Sequence, residues 1–190
     1  MTNAESADLV VLLDANGRVT GTAPRSTVHT SATPLHLAFS CYLVNQDGEV
    51  LLTRRALTKQ TWAGVWTNSC CGHPRPNEPT DHAVRRRLRA ELGIEVSNLE
   101  LLIADFAYTA ADDNGIVENE VCPVFLAWNH HQLRPPTPEE VMATKWVQWS
   151  NLYTLALTAP WVISPWCAQQ MQLLGPDALA NSPRRFHRDV

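Results

Sequence analysis

Cys71-Gly72-His73 and Glu118-Asn119-Glu120, two short stretches far apart in a chain of 190 residues, combine with His29 and His36 into a set suited to hold a divalent metal beside a reactive thiol. In an extended strand, side chains two apart point to the same face, so Glu118 and Glu120 should project together while Asn119 faces away. Two carboxylates left bare in one space repel, and one stays protonated. The pair makes sense if it shares a cation, divides acid and base roles, or both. The three histidines would supply the neutral nitrogen ligands that such a cation wants. Each residue alone has a plainer reading. A lone His is more often a hydrogen-bonded structural residue, a lone Cys a buried small hydrophobe, and two alternating Glu the wet face of an edge strand. The combination carries the inference. His82, His130, His131 and His187 lack such company and read as surface residues, Cys41, Cys122 and Cys167 read as core packing, and Cys70 has no assignable role.

The elements that must position this set follow from pattern and turn chemistry. Asp8 to Asp14 reads as a strand, Ala15-Asn16-Gly17-Arg18 as a turn, and the next extended piece completes a hairpin. Leu37 to Val44 is strand-like, Asn45-Gln46-Asp47-Gly48 turns the chain, and Val50 to Arg55 returns antiparallel. Trp62 to Pro76, rich in Trp and Gly, lacks helical period and is expected as a packed loop carrying the Cys-Gly-His. Glu78 to Leu92 is expected as a helix, with Thr80 or Asp81 as cap, Val84, Leu88 and Leu92 on one face, and Gly93 as the stop. Leu99 to Tyr108 and Val117 to Trp128 read as long strands around the turn Asp112-Asp113-Asn114-Gly115, which puts Glu-Asn-Glu on a strand. A Pro-rich connector, Arg134 to Pro138, leads to a strand around Trp146 to Trp149. Ser150 and Ser164-Pro165 start two closing helices, the second running to Gly175. Strands first, then a helix, then strands and helices predict an α+β fold, with a mixed β-sheet layered by α-helices.

Length fits one domain, expected over residues 8–175 with a flexible start at 1–7 and a disordered tail at 176–190. Fifteen basic residues against 19 acidic ones give no general reason to expect nucleic acid or an anionic membrane surface. No stretch approaches the roughly 18 consecutive apolar residues of a membrane span, and the first residues lack the basic and apolar regions of a secretory signal. A cytosolic protein is therefore expected, and an odd count of five cysteines in a reducing compartment reads as free thiols.

Gly72, Glu78, Arg86, Leu88, Glu91, Gly93 and Ile94 stand at the spacing of the Nudix box, a loop-helix-loop that positions metal and diphosphate, and the segment resembles it. Where that box has two further glutamates this chain has Arg87 and Ala90. Attack by water on a pyrophosphate needs those anions to gather cations, so hydrolysis is disfavoured. The same departure, with Trp66-Thr67-Asn68-Ser69-Cys70-Cys71-Gly72-His73-Pro74, the run Gly115 to Phe125 around Glu118-Asn119-Glu120, and Ser164-Pro165-Trp166, resembles the type 1 isopentenyl-diphosphate isomerases, from about Asp8 to Leu174.

That resemblance implies a Nudix-like sheet with additional N-terminal strands and interconversion of isopentenyl and dimethylallyl diphosphate through a tertiary carbocation. Such chemistry needs a proton donor and acceptor on opposite sides of a flat hydrocarbon, a dry pocket, and an electron-rich wall. Cys71 and Glu120 resemble the family's catalytic pair. Glu120, aided by Tyr108, is expected to protonate the alkene and Cys71 to remove the proton in the forward direction, with Trp166 as the aromatic wall. His29, His36, His73, Glu118 and Glu120 match the family's five protein ligands, and mixed imidazole and carboxylate donors suit Mn²⁺ or Zn²⁺ better than Mg²⁺. Glu91, with the Cys71 main-chain carbonyl, matches the holder of a second ion, Mg²⁺, bridging to the substrate's diphosphate. Arg55, Lys59 and Arg87 match diphosphate contacts, and Arg25 stands where a lysine is common. The implied partner is a small diphosphate, with no membrane insertion and a monomer expected. A Nudix hydrolase of nucleoside diphosphate derivatives and a metal-stabilised binding module without turnover are the competing readings.

Overall fold

The computed structural model describes residues 9–96, 98–129 and 133–182. Among them, twelve strands form two sheets. β1 (Leu9–Leu13) and β2 (Val19–Pro24) make the expected hairpin, closed by Asp14 Oδ1, which accepts from the Asn16 and Arg18 amides, and by Gly17 at φ 75°. This hairpin leads into a five-stranded sheet with β3 (His36–Leu37), β10 (Val117–Val121) and β9 (Ala107–Ala111), in the order β2-β1-β3-β10-β9. The second sheet runs β12 (Val141–Gln148), β5 (Glu49–Arg55), β4 (Phe39–Val44), β11 (Val124–Trp128), β8 (Leu99–Ile103), with β6 (Trp66–Thr67) on β5 and β7 (Cys70–Gly72) on β4. Along each sheet's strand order one parallel pair (β3 with β10, β4 with β11) stands among antiparallel ones, so the sheets are mixed, as expected.

β4 is buried along its whole length because both its faces are covered. Phe39, Cys41 and Leu43 pack with Phe125, Ala127 and the apolar stripe Ala83, Val84, Leu88, Leu92 of helix α2 (Thr80–Leu92). Tyr42 and Val44 join Val124, Leu126 and Trp128 against α3 (Trp149–Thr158) and α4 (Pro165–Leu174). Full burial of each large apolar side chain contributes about 1.5–3 kcal/mol, enough to hold a helix layer on either side of this sheet.

Three expected strands prove to be two each. Leu37 to Val44 divides at Ala38, Leu99 to Tyr108 into β8 and β9, and Val117 to Trp128 at Cys122-Pro123. In every case the halves belong to different sheets. Pro123 explains one break, since it has no N–H for a ladder and its carbonyl accepts from Ser40 instead. The other boundaries shift locally. Trp66–Thr67 and Cys70–Gly72 are short strands where a loop was expected, because β4 and β5 leave edges for them to fill. α2 begins after Pro79, two residues later than predicted and without a side-chain cap, since Glu78 precedes a proline and is pushed out of helical geometry. Its end is as predicted, with Gly93 at φ 65° and its N–H on the Arg89 carbonyl. β12 starts earlier than expected, and Trp149 already belongs to α3. α4 starts as predicted, Ser164 Oγ accepting from the Cys167 amide with Pro165 behind it. Two short helices were missed: α1 (Arg25–Val28), and α5 (Ala178–Asn181) within the stretch expected as a tail. No helix of the described residues is long and apolar enough to cross a membrane.

Candidate active site

The seam where strands pass from one sheet to the other carries the chemistry. In β10, Glu118 and Glu120 are buried while Asn119 turns away, its amide donating to the Thr33 carbonyl and its Oδ1 accepting from Thr109. Register aligns Glu120 with His36 of β3 on one side and with Tyr108 of β9 on the other. Tyr108 Oη donates to Glu120 Oε2 at 2.9 Å, and His36 Nε2 and His73 Nε2 lie 3.4 and 3.2 Å from Oε1. His73 follows β7, and His29 caps the end of α1. One nitrogen from each of His29, His36 and His73 and an oxygen of Glu120 all lie within 4.8 Å of one another. Glu118 joins through His29, whose Nε2 is 3.0 Å from Glu118 Oε2, while Thr61 Oγ1 donates to the other oxygen.

Those donors fit a divalent cation. His36 Nδ1 faces the Pro34 carbonyl at 2.9 Å, an acceptor only, so Nδ1 carries a proton and Nε2 points inward, where it donates to Glu120 when the ring is doubly protonated and offers a lone pair to a cation when it is not. His29 Nε2 and Glu118 Oε2 are both buried without a hydrogen bond despite their closeness, because their directions do not align. Buried polar atoms left so are costly, and a shared positive ion would satisfy them. Burial would raise the Glu120 carboxyl, but hydrogen bonds from His36 and His73 hold it well below the usual range. Burial lowers His73, whereas for His36 the Glu120 hydrogen bond and charge outweigh burial and raise it.

Cys71 lies on β7 opposite Ser40. Its Sγ donates to Asn68 Oδ1 at 3.1 Å and sits 3.6 Å from Ser40 Oγ. Burial pushes the thiol up to about 11, against the opposing effect of those two hydrogen bonds. Asn68, fully buried, was quoted in the sequence motif but given no role. Its Oδ1 also accepts from Trp166 Nε1 at 2.9 Å, so one amide orients both thiol and indole. Nothing in a lone Asn of a loop signals that, since its partners come from β7 and α4.

A cavity of about 360 Å³ gathers these groups, with Cys71, Tyr108, Glu118, Glu120 and Trp166 on its wall. Trp166 packs on Tyr108 with ring centroids 5.6 Å apart and edge-on to Trp62 at 5.3 Å, and the Arg55 guanidinium carbon is 5.8 Å from its ring centre. Arg25, Arg55, Lys59 and Arg87 line the same cavity, as do Arg75 and Arg86, which the sequence did not assign to it. Arg86 is anchored by a two-pronged pair with Glu78 and donates to the His73 carbonyl, fixing the loop that carries this histidine. Glu91 does not reach the cavity wall. Its carboxylate is held by Arg87, which also lies 3.2 Å from Glu140, and Glu140 in turn pairs with Lys59. His82 is exposed beside Asp81, as expected of a surface residue, while His130, His131 and His187 lie outside the described residues. Cys41, Cys122 and Cys167 are core, as expected.

The NUDIX domain family matches residues 34–167. An isopentenyl-diphosphate Delta-isomerase of Agromyces mediolanus is 53% identical over 171 residues, covering 90% of this chain and 82% of that protein. Another of the same description from Mycolicibacterium vanbaalenii is 50% identical, covering 92% and 95%. One from Salmonella paratyphi B is 50% identical, covering 85% and 88%. Among solved structures, Deinococcus radiodurans DR0079 superposes with a TM-score of 0.66 at 16% identity, covering 87% of this chain and 98% of its own. The MutT protein of Methanosarcina mazei gives 0.62 at 18%, covering 78% and 97%, and both share the fold. With half the sequence retained across nearly the whole of these relatives, the chain belongs to the NUDIX domain family and, within it, to the isopentenyl-diphosphate Delta-isomerases.

Proposed function

We propose that this protein interconverts isopentenyl and dimethylallyl diphosphate, using Cys71 and Glu120 as the groups that exchange protons with the hydrocarbon. The observation that carries the reading is one cavity walled by a thiol from one sheet, a tyrosine-bonded carboxyl from the other, and an indole, with cations among its lining. Transposing the double bond adds a proton at the terminal carbon and removes one from the carbon beyond the branch. Neither proton transfer needs water, and the buried Trp166, packed on Tyr108 and Trp62, supports its exclusion. In the forward direction Glu120 gives its proton from the oxygen that faces Tyr108, and Cys71 as thiolate takes one; the reverse direction starts from thiol and carboxylate. Sγ–H on Asn68, with Glu120 facing Tyr108 Oη and His73 Nε2, corresponds to the second state. The Trp166 face stabilises the tertiary cation between the two transfers, by about 2 kcal/mol or more once desolvated.

His29, His36, His73, Glu118 and Glu120 would hold Mn²⁺ or Zn²⁺, with Mg²⁺ the less suited alternative. When bound, the ion supplies a fixed positive charge that orders the carboxylates and changes their acidity. Arg25, Arg55, Lys59 and Arg87 bind the diphosphate. Glu91 and the Cys71 carbonyl would hold a second ion, Mg²⁺, with that diphosphate; Glu91, buried against Arg87, would offer the ion the oxygen that Arg87 does not hold. The proposal includes a monomer in the cytosol, in keeping with five free cysteines.

Incubating the protein with isopentenyl diphosphate and Mg²⁺ in deuterated water tests the reading. Deuterium should enter dimethylallyl diphosphate with no phosphate released. Phosphate release would instead establish a hydrolase, which the scarcity of carboxylates on α2, Asp81 and Glu91 alone, argues against.

A further inference from the structure

We propose that Glu140 is an internal counter-anion, holding Lys59 and Arg87 in the place the substrate's diphosphate will take and displaced when that diphosphate binds. This rests on the reading of Lys59 and Arg87 as diphosphate contacts. Both cations line the cavity, and Glu140 does not. Its two oxygens divide between them: Oε2 pairs with Lys59 Nζ, and Oε1 lies 3.2 Å from Arg87 Nη2. A carboxylate thereby presents two acceptor oxygens side by side to a Lys and an Arg, as one phosphoryl group would.

The surroundings say which part can move. Glu140 leads into β12 from a turn whose backbone is pinned on both sides. The Ala56 amide donates to the Glu140 carbonyl at 3.0 Å, and Thr137 ties the turn to the end of α2 through the Glu91 and Ala90 carbonyls at 2.9 and 2.7 Å. The turn that bears Lys59 is closed by its own amide on the Ala56 carbonyl. With the main chain fixed, only side chains can exchange partners. Arg87 keeps Glu91 as a second partner on the same nitrogen, so its guanidinium stays positioned after Glu140 withdraws. Lys59 Nζ has Glu140 as its ion-pair partner, and its side chain is largely buried. Two cations held this close would otherwise repel and lose hydration; Glu140 neutralises them until a stronger anion arrives.

The test is the affinity of inorganic pyrophosphate with Mg²⁺, measured by titration calorimetry. Glu140→Gln keeps the volume and removes the charge, so pyrophosphate should bind about 3- to 10-fold tighter, with KM for isopentenyl diphosphate falling in step. Unchanged or weaker binding overturns the proposal, because it makes Glu140 a positioning or structural residue. Lys59→Gln separates the two levels. If it leaves pyrophosphate affinity unaltered, the underlying assignment of the cations fails and this proposal with it. A loss there, without the gain in Glu140→Gln, overturns this proposal alone. Should Glu140→Gln not fold, a crystal structure of the unaltered chain with Mg²⁺ and pyrophosphate decides. Lys59 and Arg87 should then contact phosphate oxygens with Glu140 out of reach, and persistence of the Lys59–Glu140–Arg87 contacts overturns it.

Discussion

Glu120 divides its two oxygens between different neighbours: Oε1 faces the His36 and His73 nitrogens, and Oε2 accepts from Tyr108. A hydrogen bond to a charged group is worth about 1.5–3 kcal/mol, so Tyr108→Phe should lower kcat about 10- to 100-fold while KM changes little. Steady-state kinetics on isopentenyl diphosphate measures this split. A rise in KM at unchanged kcat would assign Tyr108 to binding instead. Cys71→Ala removes a sulfur but no metal side chain and leaves Asn68 its bonds to Trp166 and Thr67. Turnover should vanish with the melting temperature nearly kept, and near-normal turnover would exclude Cys71 from the chemistry.

At the scale of elements, α2 reaches the site through contacts at its start and along its face. Gly72 has no room for a side chain there, since a Cβ would meet Arg87 Cγ at 3.0 Å and the rigid Phe39 ring at 3.2 Å. Glu78, just before α2, is held by Arg86 and the Arg75 amide. Burial would raise its carboxyl, but those hydrogen bonds hold it below the usual range. A carboxyl with a depressed folded value binds fewer protons folded than unfolded. Its contribution is therefore complete above the unfolded value of about 4.3 and fades as pH falls through the folded one. Glu78→Gln should lose about 1 kcal/mol at neutral pH, and urea unfolding of the two proteins should converge as pH drops below about 4. A gap that persists at acid pH would mean the loss is not electrostatic. The helix itself was legible from its apolar stripe and Gly93, and the Glu78 spacing to Arg86 from the box pattern. Its delayed start was foreshadowed by Pro79, which the choice of Thr80 or Asp81 as cap passed over.

For the whole molecule, the proposed ligand set draws on both sheets and a short helix: His36 and Glu120 from the five-stranded sheet, His73 after β7 of the other, His29 after α1. An ion that binds only the folded chain stabilises it by mass action, about 2.7 kcal/mol at one hundred times its Kd. Chelation should lower the melting temperature, and His36→Ala should reduce bound metal and activity together; a melting curve indifferent to chelator would contradict the tie. The sequence unaided singled out the candidate residue set, because ligand types, alternation of Glu118 with Glu120, and the long motifs are local in the chain. It also determined the layered α+β class, because apolar periodicity reports which faces need covering. Tertiary structure alone decided that three expected strands each divide between sheets, that Asn68 serves Cys71 and Trp166 together, and that Glu140 stands between Lys59 and Arg87. Pairing partners far apart along the chain leave no periodic trace in it, and their contacts exist only once both layers have packed.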